Sequence, residues 1–231
     1  MGKTNISGWG NFPKTKAEVL CPKTGLELDE HRETTAGQIA RGAGRSYGDS
    51  SLSATIIESS KLATTLEFDV ETGAFTCQSG KMLSTILDEI VPKGFFLPVT
   101  PGTKFVTVGG AIAADIHGKN HHVDGCFSQH VLSFKLLLAN GTILNCSQTE
   151  NEALFWATCG GMGLTGFILE ASFQLKKIET SKIINRTIKC ENLDEVIANL
   201  LKHEDYTYSV AWIDCGTSGK SLGRSLLYLG E

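Results

Sequence analysis

The stretch RGAGRSYGD, at residues 41–49, is the first feature of the sequence that bears on the fold. The run GQIA just before it favours a short strand, so the three glycines lie in a turn that follows a strand. Such a turn exposes backbone N–H groups that can surround a phosphate. The stretch lacks the helix that directly follows a Rossmann GxGxxG, and it lacks the GK[ST] of a P-loop. Spacing alone leaves two interpretations, a phosphate-binding loop and an ordinary glycine-rich turn.

A second glycine stretch, GGAIAADIHGKNHH, occupies residues 109–122. Its alanines, Ala111, Ala113 and Ala114, are small enough for a planar ring to lie close to the backbone. His117 and Lys119 follow them and can stand at the reactive edge of such a ring. The alternative interpretation is a tight helix start followed by a polar loop.

Two other chemistries are weighed on the same residues. His117 and His121 are four apart, as metal ligands on a helix are, but Gly118 and Asn120 disfavour a helix and no glutamate follows His117. Histidines 121, 122 and 130 are therefore interpreted as ordinary loop residues, and no metal is expected. Ser46 stands between glycines without the GxSxG spacing of a hydrolase elbow.

Composition excludes several classes of protein. The net charge of -4 and the lack of a basic stripe with interleaved aromatics argue against nucleic-acid binding. The first residues contain no signal-peptide run, and no stretch approaches the roughly 20 apolar residues of a spanning helix. The seven cysteines are scattered without a CxxC pair, which is typical of reduced thiols in a cytosolic protein. We expect most of them to be small buried residues.

Local patterns predict a mixture of strands and helices, followed by a second α+β unit of strand, helix and strand from residue 179 onward. Many of the 25 glycines cluster at residues 42–48, 102–118 and 160–166, which suggests several loops converging on one extended ligand. The last unit looks unfinished, so we expect the chain to be the front part of a longer protein. Predicted strands are 17–22, 38–41, 54–59 and 163–178, and a strand followed by a turn is predicted at 95–103. Predicted hairpins are centred on 71–73 and 140–141, and predicted helices are 24–35, 81–94 and 149–161.

In combination, these motifs resemble a known family. ARGAGRSYGD, PGT, VTVGGAIAADIHGKNHH and LFWATCGGMGLTGFI occur in the same order in flavin-linked oxidases of the vanillyl-alcohol oxidase superfamily. Within it, the chain is most similar to the oxidase subunits of polyprenylphosphoryl-pentose 2′-epimerases, over nearly its whole length. The resemblance implies an α+β, two-subdomain FAD-binding domain of the PCMH type at residues 1–178. Residues 179–231 would begin a substrate (cap) domain.

The resemblance also implies a set of site residues. Residues 40–50 would wrap the FAD pyrophosphate, further glycines would continue along the cofactor, and Ile168 would contact its adenosine end. His117 and Lys119 would face the sugar as catalytic residues. The implied cofactor-binding residues are Ala40, Arg41, Gly42, Ala43, Gly44, Arg45, Ser46, Tyr47, Gly48, Asp49, Ser50, Gly102, Thr107, Val108, Gly109, Gly110, Ala114, Asp115, Ile116, His117 and Ile168.

The implied activity is oxidation of a sugar hydroxyl, at C2′ of a polyprenylphosphoryl pentose, by hydride transfer to flavin N5. An NADH-dependent reductase partner would complete the epimerisation, in cell-wall polysaccharide biosynthesis. Hydride chemistry belongs to the cofactor, and the protein positions the substrate. The implied location is cytoplasmic, with membrane contact only peripheral, through the lipid of the substrate.

Two residues depart from the family pattern. Arg45 stands where related alditol and sugar oxidases carry a histidine bonded to FAD, so we expect non-covalent FAD. Ala114 replaces a cysteine, which is a small change in volume. Two alternatives stay open: a soluble alditol or sugar-lactone oxidase, and a non-catalytic FAD-binding module completed by another chain.

Overall fold

The first β-sheet carries the glycine loop at one of its edges. The computed structural model describes residues 2–24, 27 and 37–231. The sheet has the strand order β1–β2–β4–β3, and β4 pairs parallel with β2 and β3. The Thr-Ile-Ile run of β4 is buried, as expected for a strand covered on both faces. The strands are β1 (Thr4–Ser7), β2 (Lys14–Leu20), β3 (Gln38–Arg41) and β4 (Thr55–Glu58).

The second sheet is antiparallel and has five strands in the order β5–β6–β10–β8–β9. The central strand, β10, is the last of these five strands along the chain, and it pairs with both β6 and β8. Alternation along β10 buries Ala171 and Phe173 and leaves Ser172 less buried. The strands are β5 (Thr65–Phe68), β6 (Ala74–Gln78), β8 (Val131–Leu137), β9 (Ile143–Ser147) and β10 (Phe167–Gln174), while β7 (Phe95–Phe96) lies outside this sheet.

Helices pack on the second sheet and enclose the main hydrophobic core. Helix α1 buries Leu83, Ile86 and Ile90, which share one face at helical spacing. Phe173 contacts two other buried phenylalanine rings, with centroid distances of 5.6 and 5.5 Å. Burial of each such side chain contributes about 1.5–3 kcal/mol. The helices in this part are α1 (Leu83–Ile90), α2 (Val108–Ala113), α3 (His121–Asp124) and α4 (Glu152–Thr158).

A three-stranded sheet with its own core follows. Its strand order is β12–β14–β13, all antiparallel, and helix α5 packs on one face. The core of this unit holds Cys190, Val196, Leu227 and Leu229. The elements are β11 (Lys176–Lys177, paired with β7), β12 (Asn185–Cys190), α5 (Leu193–Lys202), β13 (Tyr208–Ile213) and β14 (Ser225–Gly230).

The α+β fold class and most predicted elements are confirmed. Both hairpins form, and the strands and helices predicted at 17–22, 38–41, 54–59, 81–94, 149–161 and 163–178 are present within a few residues. The strand and turn predicted at 95–103 contain a two-residue strand, β7. Elements β1, α3 and β14 were not predicted, and α2 corresponds to the helix start that was the alternative interpretation of residues 109–122. Most of the helix predicted at 24–35 lies outside the described residues. The boundary between residues 178 and 179 stays a prediction.

Among the described residues, no helix is long and apolar enough to cross a membrane.

The cysteines are free thiols, but the expectation that most are buried is wrong. Only Cys77, Cys146 and Cys190 are buried, while Cys21 and Cys215 are exposed. Burial raises the pKa of Cys77 to about 12. At pH 8 such a thiol is ionised in only about one molecule in ten thousand, and the thiolate is the reactive form.

Iodoacetamide at pH 8 is therefore expected to alkylate Cys215 and to leave Cys77 unmodified in the folded protein. Mass spectrometry of tryptic peptides measures both sites in one sample. Unfolding in guanidinium should make Cys77 as reactive as Cys215. Rapid alkylation of Cys77 in the folded protein would contradict its burial.

Candidate functional site

One large cavity lies where the first sheet, helix α2 and the loop after α4 meet. Its volume is about 840 Å³, within the roughly 300–1,000 Å³ typical of ligand sites. Three distant parts of the chain form the wall: the loop after β3, the stretch from Pro101 to His117, and the segment from Met162 to Ile168. All three glycine clusters therefore contribute to one cavity, as their composition predicted.

The side chain of Arg41 supports the glycine loop that follows β3. The Arg41 guanidinium donates to the carbonyl of Ser7 at 2.8 Å and to Ser51 Oγ at 3.4 Å. Burial lowers the pKa of Arg41, and nearby Glu58 opposes this shift. Gly44 has φ +66°, and a Cβ there would collide with Arg41 Nη2. The Arg41 side chain therefore shapes the loop.

The backbone N–H groups of residues 43–47 donate to no other described residue. These residues line the cavity. The start of helix α2 is different, because its N–H groups are already used: Val108 donates to Lys81 O, Gly109 to Ser79 O, and Gly110 to Thr107 Oγ1. Successive free N–H groups bind anions. Any anionic group in the cavity would therefore be held by the 43–47 loop and not by helix α2.

The remainder of the wall is mostly apolar. Ala113, Ala114 and Ile116 line it on one side, and Phe167 and Ile168 on another. Gly166 has φ +156°, and a Cβ there would lie 2.5 Å from the carbonyl oxygen of Leu137. Glycine is thus required for the close approach of this segment to β8. The cavity combines an anion-binding loop with surfaces that suit flat, apolar groups.

His117 lies on the cavity wall and is exposed, whereas Lys119 is not part of the wall. The segment that carries both is fixed by Asn120, which is only 1% exposed. Asn120 Nδ2 donates to the carbonyl of Pro98 at 2.7 Å and to Asp124 Oδ2 at 2.6 Å. Polar groups that are buried with such partners hold local geometry.

The second α+β unit also contacts this segment. The backbone N–H of Ser209 donates to the carbonyl of Lys119 at 2.9 Å. His122 Nε2 donates to the carbonyl of Tyr206, also at 2.9 Å. Strand β13 and the turn before it thus help to position the residues around His117.

Most of the predicted site residues come together at the cavity, and five do not line it. Val108 is buried in the core and Asp115 Oδ1 accepts the N–H of Ser128 at 2.9 Å, so both side chains have structural partners. The other three residues off the wall are Gly48, Asp49 and Lys119. Those on the wall are Ala40, Arg41, Gly42, Ala43, Gly44, Arg45, Ser46, Tyr47, Ser50, Gly102, Thr107, Gly109, Gly110, Ala114, Ile116, His117 and Ile168.

Several wall residues carried no signal in the sequence analysis. Trp9 comes from the β1–β2 turn, and Ser59 and Ser79 come from the ends of β4 and β6. They reach the cavity only because the sheets bring these ends together.

Within the described residues, the groups that a metal site or a hydrolase would use are not clustered or have other partners. Within the described part of the chain, no three His, Cys, Asp or Glu side chains are grouped as metal ligands. His130 Nε2 donates to the carbonyl of Asp124 at 2.8 Å, so this histidine has a local partner. The Ser46 hydroxyl lies 3.2 Å from Ser50 O and 3.1 Å from Ser51 Oγ, so it is engaged within its own loop.

Comparisons with known proteins also support a cofactor-binding cavity. Residues 28–147 match the family model described as FAD binding domain. The chain is 39% identical, over 98% of its length, to decaprenylphosphoryl-beta-D-ribose oxidase of Mycolicibacterium smegmatis and covers 51% of that protein. It is 30% identical to bovine L-gulonolactone oxidase over 64% of its length, covering 33% of that enzyme. D-lactate dehydrogenase of Anaerostipes hadrus is 30% identical over 63% of the chain, which covers 31% of that enzyme. The chain thus spans about a third to about a half of the length of these relatives.

Proposed function

The chain belongs to the FAD binding domain family, and on this premise we propose that it is the FAD-binding part of an oxidase acting on a polyprenylphosphoryl pentose. The oxidised group would be the hydroxyl at C2′, and the product the 2′-keto sugar. Similarity over 98% of the chain to an oxidase named for a decaprenylphosphoryl ribose supports this substrate class. A domain boundary near residues 178–179 is part of the proposal.

The observation that carries the proposal is the loop of free N–H groups at residues 43–47 on the wall of the cavity. FAD is a dinucleotide with a charged pyrophosphate between two flat ring systems. The loop offers donors for the pyrophosphate, and the apolar walls on either side suit the rings. The residues present therefore fit FAD: Gly42 to Tyr47 would hold its pyrophosphate, and Ile168 would contact its adenosine end.

When bound, FAD would supply the acceptor for the hydride that leaves the sugar carbon. The chain itself would have to take the hydroxyl proton and stabilise the developing negative charge on oxygen. His117 is suited to the first task because an imidazole on the cavity wall can accept a proton. Lys119 is proposed for the second, as a cation close in sequence to that wall.

The partners in the proposal follow from the substrate. A 2′-keto sugar must be reduced to give the epimer, so an NADH-dependent reductase is the proposed partner. A lipid-linked substrate would bring a cytoplasmic enzyme into peripheral contact with a membrane. These statements rest on the name of the relative and on the chemistry of its substrate class.

A second candidate is a soluble sugar-lactone oxidase, favoured by the similarity to L-gulonolactone oxidase. That similarity is weaker and covers only 64% of the chain. The two candidates differ in substrate, so flavin bleaching by gulonolactone but not by a polyprenylphosphoryl pentose would favour the second.

The first test is a visible absorption spectrum of the purified protein, before and after acid precipitation. We expect a yellow protein whose flavin passes entirely into the supernatant, because Arg45 offers no nucleophilic side chain for a covalent bond to FAD. Flavin that stays with the pellet would contradict non-covalent binding. A colourless protein that takes up no added FAD would contradict the proposed function.

A further inference from the structure

Arg45 makes two contacts that join separate parts of the cavity rim. Its guanidinium carbon lies 5.1 Å from the centre of the Trp9 ring, within cation–π range. Its Nε donates to the backbone carbonyl of Phe105 at 3.3 Å. Trp9 belongs to the turn between β1 and β2, and Phe105 to the segment before α2. The side chain of Arg45 therefore ties these two segments together across the glycine loop.

A second contact supports this arrangement at the backbone. The N–H of Trp9 donates to the carbonyl of Ser46 at 2.9 Å. Gly8 allows this approach, since a Cβ on Gly8 would lie 2.5 Å from the same carbonyl oxygen. The Trp9 ring is thus held beside Arg45 by its own main chain. Its side chain is 57% exposed, and it lines the cavity, as an element at the rim would.

We propose that Trp9, Arg45 and the Phe105 carbonyl form a strap that closes the cavity rim and slows the release of FAD. This inference rests on the proposed function. A chain without a covalent bond to FAD must retain it by contacts alone, and the release rate depends on the contacts that break when the cofactor leaves. The strap joins three segments that would have to separate for the rim to open.

The strap differs from simple attraction between Arg45 and the FAD phosphates. Attraction by charge raises the association rate and weakens with salt. A strap acts mainly on the dissociation rate, and Trp9 contributes to this effect as much as Arg45 does. The two explanations therefore predict different responses of Trp9 variants and of ionic strength.

The test measures FAD release by stopped-flow fluorescence, from the change in flavin emission after dilution to a concentration at which released FAD does not rebind. We expect Arg45→Ala and Trp9→Ala each to accelerate release by roughly three- to tenfold, from one cation–π contact and one charged hydrogen bond. The double variant should release FAD no faster than the faster single variant, because either change opens the same strap. Trp9→Phe keeps an aromatic face and should stay within about twofold of the unaltered protein. Arg186→Ala, an exposed arginine on β12, is the matched control.

A second readout does not depend on release. Bound flavin close to Trp9 should quench its emission, so Trp9→Phe should lose the FAD-dependent part of the fluorescence change. Thermal unfolding of the apo variants should match the unaltered protein, since both side chains are exposed.

Three outcomes would overturn the strap. The first is an unchanged rate of FAD release in both alanine variants, and the second is additive effects on this rate in the double variant. The third is a normal release rate in Arg45→Lys together with a normal release rate in Trp9→Ala. The last result would assign Arg45 to charge attraction alone. Failure of the unaltered protein to bind FAD would instead remove the proposed function and the strap together.

Discussion

Replacement of His117 by alanine is expected to lower the rate of substrate oxidation by about 10²–10⁴-fold, while the affinity for FAD changes less than about threefold. His117 lies on the cavity wall, and in the proposed reaction it takes the proton of the sugar hydroxyl. In the proposal, FAD is held mainly by the backbone N–H groups of residues 43–47, which the substitution leaves intact. Flavin reduction is measured by stopped-flow absorbance in a form of the protein that spans the length of its relatives, and FAD affinity by fluorescence titration.

His121→Ala is a matched control for this substitution. The His121 ring centre lies 5.7 Å from that of His117, but His121 is not part of the cavity wall. Its loss should change oxidation by less than about threefold, since it would give neither a proton acceptor nor a cofactor contact. If His117→Ala lowered FAD affinity and turnover equally, a substrate-side role for His117 would be untenable.

Gly42→Ala is expected to destabilise the apo protein by about 2–4 kcal/mol. A Cβ on Gly42 would collide with Thr107 Oγ1, and it would also lie 3.3 Å from Thr107 Cβ and 3.4 Å from Cγ2. Rotation of the Thr107 side chain would move Oγ1 and Cγ2 but would leave the close contact with Cβ. Thr107 is 1% exposed, and its Oγ1 accepts the N–H of Gly110 as the N-cap of α2. The melting temperature should fall by roughly 5–15 °C, and FAD affinity should fall more than about tenfold, because α2 lines the cofactor cavity.

Double substitution tests the cause. Thr107→Ala alone should cost about 1 kcal/mol through loss of the cap. Combined with Gly42→Ala, it should restore part of the stability, since it removes the atoms that the new methyl group meets. Gly102→Ala is the control: its Cβ would meet nothing within 4 Å, so the apo protein should keep its melting temperature. Additive losses in the double variant would show that the Thr107 contact is not responsible.

Sequence patterns identified the elements whose signals are local. The hairpin around Asn140–Gly141 forms because this dipeptide accepts positive φ, which Gly141 adopts at +86°. Helix α1 forms because its apolar residues recur at helical spacing. Strand β14 was missed because its run, SLLYLG, follows the predicted strand, helix and strand at a point where the unit was interpreted as unfinished. It is the central strand of its sheet, between β12 and β13, and no local pattern in its sequence reveals that position.

Helix α2 shows where burial overrides propensity. VGGAIA holds two glycines and would be a poor helix in isolation. Packing of Val108, Ala111 and Ile112, all fully buried, and the Thr107 cap make it form. The spacing of these three residues, i, i+3 and i+4, was the available sign that Val108 faces the core and not the cavity. The wall residues Ser59 and Ser79 had no such sign, because a cavity wall depends on which strand ends meet.

Two hydrogen bonds between the second α+β unit and the segment around His117 use main-chain atoms from that unit. Ser209 contributes its N–H and Tyr206 its carbonyl. Any residue supplies a carbonyl, and any residue except proline supplies an N–H. These two hydrogen bonds would therefore persist when the side chains of this unit diverge. Chimeras that take the residues beyond 178 from a relative should keep the main-chain position of His117. Such exchange offers a route by which one cofactor domain could acquire new substrates.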